Sequence, residues 1–425
     1  MNDTNRGMFA VKEKVSQAVL GILAKPLARS RKFQFYSKLE QTLESFEFAR
    51  KVRELFAPAY DQSGEGQPGI DPVVYLKMLM VGFFENLPSD RAITEACADS
   101  IAVRVFLGFG WEEKTPEHSS LSRIRQRVGW EIHQQVFVLI LSALQAHGLV
   151  KGKHLGVDSS VMEANASLRG LVNRNTEEAY WDYVKRLASE QGIDPKDSDA
   201  VRRFDRKRPK RTSNEEWANP HDPDAKVGPK KDGATDMIYK PEVVGDLETG
   251  ALVDAQVLPG DQADHQDVST RLLEAQQNIN AARGEPLDQL TMETATTDKG
   301  YYAVPEVQAL QHEQIKTVMR DPVLNRRMDK LDEVQRQAVK AAQRSTQSSL
   351  GKKLLRRRGM HLERPFAHIL DCGGMRRTTL RGLINNDKRF KLTGAFYNLS
   401  QLMRHLFGIG TPKQWAAMMP TCALN

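Results

Sequence analysis

The sequence predicts an α/β protein in which a helical block is followed by a unit built on a mixed sheet. Residues 35–148 carry helix-start signals and few strand signals, and at Lys153 the pattern turns to short apolar runs. Beyond that point the order reads strand, insertion, two strands, helix, strand, helix, strand, which is the pattern of an α/β unit. At 425 residues the chain exceeds what a single core usually serves, which allows two or three structural units.

In the helical block, Asp71-Pro72 precedes Val73-Val74-Tyr75-Leu76-Lys77-Met78-Leu79. This sets an aspartate as N-cap and a proline at the first helical position, where its missing N–H costs nothing. Ser89 and Asp90 open a second helix ahead of Ile93, Ala96 and Cys97, and a third starts within residues 119–122 before Ile124 and Val128. Short helices joined by glycine and proline turns serve DNA recognition and plain packing about equally, so position alone leaves both open.

His154-Leu155-Gly156-Val157-Asp158 is an apolar run ending in an acid, a buried strand that presents a carboxylate at its end. After Glu163 the chain turns polar, with a helix expected over 180–187. From Gly192 to Lys231 periodicity is lost among Pro195, Pro209, Pro220, Pro223 and Pro229, so residues 167–231 read as an insertion with a partly disordered basic arm. A hairpin follows, from Met237-Ile238-Tyr239-Lys240 through the turn Asp246-Leu247-Glu248-Thr249-Gly250 to Ala251-Leu252-Val253 and Val257-Leu258. A helix over 265–283 aligns Val268, Leu272, Leu273, Ala275, Ile279 and Ala282. A strand over 289–297 then ends at Asp298, and a helix over 304–311 leads to a strand over 315–319. A charged connection over 322–360, helical across 328–343, is the second insertion, and residues 364–407 are again mainly helical.

Hydrophobic residues at 40% and charged residues at 27% exclude wholesale disorder. The longest apolar stretch of the N-terminal half, Val136-Phe137-Val138-Leu139-Ile140-Leu141, is too short to cross a bilayer. The first residues, with Lys12, Glu13 and Lys14 inside the mixed stretch 9–23, lack the apolar run of a signal peptide, so a cytoplasmic protein without a membrane partner is expected. Cys97, Cys372 and Cys422 lie far apart and point to neither a zinc site nor a disulfide framework. Lys and Arg outnumber Asp and Glu by 61 to 54, and the excess is clustered. Arg202, Arg203, Arg206, Lys207, Arg208, Lys210 and Arg211 surround a single acid, Asp205. A second run, Lys352-Lys353-Leu354-Leu355-Arg356-Arg357-Arg358, is followed by Arg376, Arg377, Arg381, Lys388, Arg389 and Lys391. One such run alone is more often a solvated face, but two flanking a candidate site are where a polyanion's phosphates would be neutralised.

Two strands end in aspartates, in Val157-Asp158-Ser159 and in Thr297-Asp298-Lys299-Gly300-Tyr301, at the edge where open α/β sheets place ligands. Carboxylates brought together there repel unless a cation stands between them, and hard divalent ions such as Mg²⁺ want oxygen ligands. Phosphoryl chemistry uses two such ions about 4 Å apart. Read alone, either aspartate is a turn residue. Glu163, Glu293, Asp321 and Asp371 compete for the role of third carboxylate, and spacing does not choose among them.

The residues around these acids resemble those of bacterial insertion-sequence transposases of the DDE class. The matching pieces run in the family's order: Asp71-Pro72-Val73 with Leu76-Lys77-Met78-Leu79; Pro116-Glu117-His118-Ser119-Ser120-Leu121-Ser122-Arg123; Gly156-Val157-Asp158 with Glu163-Ala164-Asn165-Ala166. They continue with His221-Asp222-Pro223-Asp224-Ala225, Tyr239-Lys240, Asp246-Leu247-Glu248-Thr249-Gly250 and Asp298-Lys299-Gly300-Tyr301. The last are Leu362-Glu363-Arg364-Pro365-Phe366, Gly373-Gly374-Met375-Arg376-Arg377 and Leu380-Arg381-Gly382, so the resemblance spans about residues 35–412.

This resemblance implies a ribonuclease H-like catalytic domain over 151–412, of the kind shared with retroviral integrases, with insertions at about 167–231 and 322–360. A helical N-terminal DNA-binding domain over 1–150 would precede it and a tail over 413–425 would follow. It implies Asp158 and Asp298 as the first two metal ligands and Glu363 as the third, holding two Mg²⁺ or Mn²⁺ ions. Arg356, Arg357, Arg358 and Arg364 would face DNA phosphates. Two positions depart from the commoner pattern: Glu117 stands where many relatives carry Asp, and Leu370 stands seven residues after Glu363, where many carry a lysine. The DNA contact of that lysine does not carry over, and Arg376 or Arg377 would substitute.

The implied activity is cleavage of insertion-sequence ends by activated water, followed by in-line attack of the freed 3′-hydroxyl on target DNA. The partners are double-stranded DNA, as terminal inverted repeats and as target, bound by a homodimer. Ser119, Ser122, Arg123 and Arg127 offer phosphate and base-edge donors, and Arg206, Lys207 and Arg208 add salt-dependent affinity. Two other readings stand beside this one. One is a catalytically inactive DNA-binding relic that represses its own element, and the other is a nuclease of the same fold that hydrolyses without joining.

Overall fold

A computed structural model of the protein describes residues 9–10, 30–60, 69–208, 213–230, 232–323 and 328–418. Lys210 and Arg211 of the first basic run, Lys231, and residues 419–425 of the tail lie outside the described residues. Among those described, seven α-helices precede the main sheet: α1 (Arg31–Ser45), α2 (Phe48–Phe56), α3 (Pro72–Phe84), α4 (Asp90–Asp99), α5 (Ile101–Leu107), α6 (His118–Arg127) and α7 (Trp130–Ala146).

Helix α3 starts as its sequence dictates. The Val73 N–H donates to Asp71 at 3.0 Å, and the same aspartate pairs with Arg53 of α2 at 2.6 Å. Every residue of α3 is buried, which makes it the centre of the bundle, as a helix apolar on all sides must be. Ser89 caps α4 by accepting from the Ala92 N–H at 3.2 Å.

The sheet has seven strands: β1 (His154–Ser159), β2 (Met162–Glu163), β3 (Lys226–Pro229), β4 (Thr235–Asp246), β5 (Leu252–Pro259), β6 (Thr294–Thr296) and β7 (Lys316–Val318). The long β4 takes β1, β2, β3 and β5 as antiparallel partners along its length, while β6 and β7 continue the sheet beyond β1 in parallel. The order across the sheet is therefore β5, β4, β1, β6, β7. The hairpin turn between β4 and β5 is held by Asp246, which accepts from the N–H groups of Glu248, Lys151 and Gly152 at 2.8, 2.6 and 2.9 Å.

Between β2 and β3 lie α8 (Tyr180–Glu190) and α9 (Ser198–Lys207). Helix α9 falls where the sequence shows no periodicity. It forms because Asp197 caps the N–H groups of Asp199 and Ala200 at 3.1 and 3.0 Å, and it buries only Val201 and Asp205, too few positions for a period to show. Residues 226–229 of the expected insertion join the main sheet as β3. The helices α10 (Val268–Arg283) and α11 (Val304–His312) connect β5 to β6 and β6 to β7. The strand expected over 289–297 narrows to Thr294–Thr296. The helix expected over 328–343 begins later, as α12 (Glu333–Gln347), at a capping box between Asp332 and Gln335. Then come α13 (Ser349–Arg358), a π-helical turn (Gly359–Glu363), α14 (Arg364–Asp371), α15 (Leu383–Phe407) and α16 (Pro412–Met418).

Helix α15 packs against α7 and against β5. It closes the sheet's edge with side chains: the Leu252 N–H donates to Asn398 Oδ1 at 2.9 Å, Asn398 Nδ2 donates to the Leu252 carbonyl at 2.7 Å, and the Val257 N–H donates to Asp387 at 2.7 Å. Three cations of the second basic run sit inside this packing rather than facing a polyanion, which corrects their reading from sequence. Arg389 pairs with Asp90 at 3.2 Å, Lys391 pairs with Asp254 at 2.9 Å, and Lys388 donates to the carbonyls of Arg125 and Val128 at 3.0 and 2.7 Å. Their acids and carbonyls come from distant elements, so only the tertiary fold reveals the burial. No helix among the described residues is long and apolar enough to cross a membrane.

Candidate active site

Asp158 is the fifth residue of β1, and Asp298 follows β6 by two residues. The two strands are parallel neighbours with Gly156 opposite Thr296, and Asp158 and Asp298 each stand two residues beyond that last pair. Both acids thus leave the sheet at the same end, because parallel strands present their C-terminal ends together. Asp298 is fixed locally by accepting from the Gly300 N–H at 2.8 Å, at the start of a short turn of 3-10 helix.

Glu363 arrives from the other side of the sequence, on the continuous helical run of α13, the π turn and α14. Its neighbour Leu362 is fully buried and drops into a notch made by two glycines that face each other across β1 and β4, Gly156 and Gly245. A Cβ on Gly245 would lie 2.7 Å from Leu362 Cδ1, and one on Gly156 would lie 3.3 Å from Leu362 Cδ2. The glycine of Gly156-Val157-Asp158 therefore seats the helix that carries the third acid.

Arg358 connects the acids. Its Nη1 lies 3.5 Å from Asp158 Oδ1 and its Nη2 lies 2.5 Å from Glu363 Oε1, with the arginine side chain only 14% exposed. In a regular α-helix, residues five apart point about 140° away from each other. The π turn brings Glu363 back over Arg358, so the two share one face. The Asp158 carboxyl is raised to about 6: burial raises it most, Arg358 pulls it down, and the charges of Glu363 and Asp298 push it up. Glu363 and Asp298 thus both act electrostatically on Asp158.

A polar network stiffens the end of β1. The Ser159 hydroxyl donates to Asp264 Oδ1 at 2.9 Å, and Lys240 pairs with the same carboxylate. Glu242, opposite Ser159 in the sheet, accepts from the Tyr301 hydroxyl at 3.1 Å and pairs with Arg271 at 3.2 Å. Burial raises the Glu242 carboxyl above its ordinary range against the pull of Arg271. Sequence reasoning passed over Asp264; its only signal was the acid-rich link Asp261-Gln262-Ala263-Asp264 between a strand and a helix.

The competing acids have other partners: Glu163 pairs with Lys230 at 3.0 Å, Glu293 with Lys153 at 2.9 Å, and Asp371 with Arg376. On α6, Arg123 and Arg127 are exposed, while Ser119 and Ser122 are half-buried. Arg123 donates to Ser119 Oγ at 3.2 Å, and Arg127 lies over the Tyr60 ring at 4.2 Å. A polar cleft of about 290 Å³ joins Ser122 and Gln126 of α6 to Asn165, Thr379 and Arg381. Arg206 and Lys207 are exposed at the end of α9, whereas Arg208 is engaged by Asp205 at 2.9 Å and accepts company from the Tyr180 ring at 5.9 Å. Arg356, Arg364, Arg376 and Arg377 are exposed, and Arg357 is half-buried.

The donor set of Asp158, Asp298 and Glu363 is oxygen alone, as hard divalent cations require, and a positive group already stands between two of the three. The site is thus built to hold positive charge. With the side chains arranged around the guanidinium, no three Asp, Glu, His or Cys among the described residues are close enough to share a single ion.

Two family models match the chain. A Transposase domain (DUF772) covers residues 26–127, which contain α1 to α6, and a Transposase DDE domain covers residues 317–403, from β7 into α15. Arg358, Glu363 and Arg364 lie inside the second match, and Asp158 and Asp298 lie outside both. No curated protein and no solved structure matches the chain. The chain is thus similar to transposases on the helical block and to DDE transposases on the helices that carry Glu363.

Proposed function

We propose that the protein cleaves the ends of its insertion sequence and joins them to target DNA, with Asp158, Asp298 and Glu363 as the ligands of two Mg²⁺ or Mn²⁺ ions. The observation that carries this reading is that Arg358 bridges Asp158 of β1 and Glu363 of a C-terminal helix, while Asp298, from the loop after β6, adds its charge at Asp158. The sheet order β5, β4, β1, β6, β7, with the first three strands antiparallel and the last two parallel to β1, supports a ribonuclease H-like catalytic fold. When bound, the ions would activate the attacking oxygen and stabilise the leaving one.

The chain's own residues supply positioning and charge. Ser159, Lys240 and Asp264 hold the end of β1, Leu362 seats Glu363, and the exposed Arg356, Arg364, Arg376 and Arg377 neutralise phosphates. Residues 1–150 act as the DNA-binding part, with Arg123 and Arg127 of α6 toward the terminal repeats and the cleft to Arg381 extending that face. A homodimer holds the two ends together.

In Mg²⁺, Asp158→Asn, Asp298→Asn and Glu363→Gln each lower cleavage of an end-containing duplex by on the order of 10³-fold or more, with DNA affinity nearly unchanged. Wild-type cleavage by any one of them removes that residue from the site. Cleavage without strand-transfer products would instead make the protein a nuclease.

A further inference from the structure

Three consecutive arginines, Arg356, Arg357 and Arg358, end α13, and they are not equivalent. Arg356 is exposed, whereas Arg358 turns into the site and spans two acids that lie on different elements, Asp158 on β1 and Glu363 on the π turn. A guanidinium suits this position because its planar fork offers separate N–H groups to two carboxylates at once. Three carboxylates and one arginine leave an excess of negative charge, which attracts a further cation. Glu363 Oε1 already accepts an arginine N–H at 2.5 Å, so a cation drawn to that oxygen competes with the arginine for it and is repelled by its charge.

We infer that Arg358 is the resident counter-ion of the carboxylate site: it positions Asp158 and Glu363 while no divalent cation is bound, and it releases them when one arrives. The inference rests on the reading of Asp158, Asp298 and Glu363 as cation ligands. It differs from the expectation for Arg358 drawn from the sequence, a plain phosphate contact, because a phosphate contact has no bearing on cation affinity in the absence of DNA.

The test is Mn²⁺ titration of the full-length protein without DNA, by calorimetry, on the wild type and on Arg358→Gln, Arg358→Lys and Glu363→Gln. Arg358→Gln should bind Mn²⁺ about tenfold more tightly than the wild type, equivalent to about 1.4 kcal/mol. Arg358→Lys should fall between them, since an ammonium serves one carboxylate at a time, and Glu363→Gln should bind more weakly. Melting curves give an independent readout. In EDTA, Arg358→Gln melts below the wild type because its acids repel, and Mn²⁺ raises its melting temperature by more than it raises the wild type's. Should Arg358→Gln fail to fold, Arg358→Lys carries the test with a gain of a few fold over wild type. Unchanged or weaker Mn²⁺ binding by both arginine variants, with the wild type binding and Glu363→Gln impaired, overturns the counter-ion role and leaves the cation reading standing. Failure of the wild type and of both arginine variants to take up Mn²⁺ overturns both.

Discussion

Asp158 is the residue at which the site's electrostatics can be read most directly. Its carboxyl sits at about 6 in the folded chain against an ordinary 3.8, because burial and the charges of Glu363 and Asp298 outweigh Arg358. A raised acid means that the folded protein holds a proton that the unfolded chain has lost. Stability is therefore full below about pH 4, declines as the pH rises to about 6, and stays reduced above that. The difference of about 2 units corresponds to at most about 3 kcal/mol, for a side chain 18% exposed. Asp158→Asn should thus melt at a higher temperature than the wild type at pH 8 in EDTA, with the gain vanishing near pH 4; a gain independent of pH would assign it to packing instead. At this scale the sequence was partly legible. Asp158 and Asp298 stood out because each ends an apolar run, whereas Glu363 sits on a helix and came only from resemblance. Arg358 was misleading, since a run of three arginines gives no sign that one of them turns inward.

At the scale of elements, the decisive device is the π turn with its leucine anchor. One extra residue in the helical turn brings Glu363 over Arg358, and Leu362 in the Gly156 and Gly245 notch fixes the depth at which it stands. Gly245→Ala should push Leu362 outward, because the new Cβ would lie 2.7 Å from Leu362 Cδ1. Displacing a catalytic group by about 1 Å costs on the order of a hundredfold in rate, and cleavage assays should show a loss of that size with DNA affinity unchanged. Adding Leu362→Val to Gly245→Ala should recover part of the rate, the coupling expected of residues in contact. Two losses that simply add would refute the notch. The strands that place these pieces were legible where a side-chain period or a turn marked them: β1 by its apolar run, β4 and β5 by the turn at Asp246 and Gly250. Strand β3 was hidden, because Gly228 and Pro229 carry no strand signal and its pairing comes from β4. The π turn was hidden too, since helix propensity does not distinguish it from the helix on either side.

At the scale of the whole molecule, α15 ties the helical block to the sheet, and one contiguous apolar core runs through both. Charges inside this junction bind three elements together. Asp90 at the start of α4 pairs with Arg125 of α6 at 2.8 Å and with Arg389 of α15 at 3.2 Å, and the two arginines are only 3% and 8% exposed. A buried ion network of this kind adds little net stability over an apolar contact, but removing one member leaves the others buried without a counter-charge. Asp90→Ala should therefore lower the unfolding free energy by about 3–5 kcal/mol. Because the network reaches from α6, the helix proposed to face DNA, to the helix that closes the sheet edge, the loss should appear as one shifted transition. Urea unfolding followed by tryptophan fluorescence and by far-ultraviolet circular dichroism checks this, and the two curves should coincide in the variant as in the wild type. If the curves separate, with the helical block melting ahead of an unchanged sheet, the block stands on its own and α15 only rests against it. If they coincide, strain applied at α6, where DNA is proposed to bind, reaches α15 through charged side chains that cannot part without leaving a bare cation in the core.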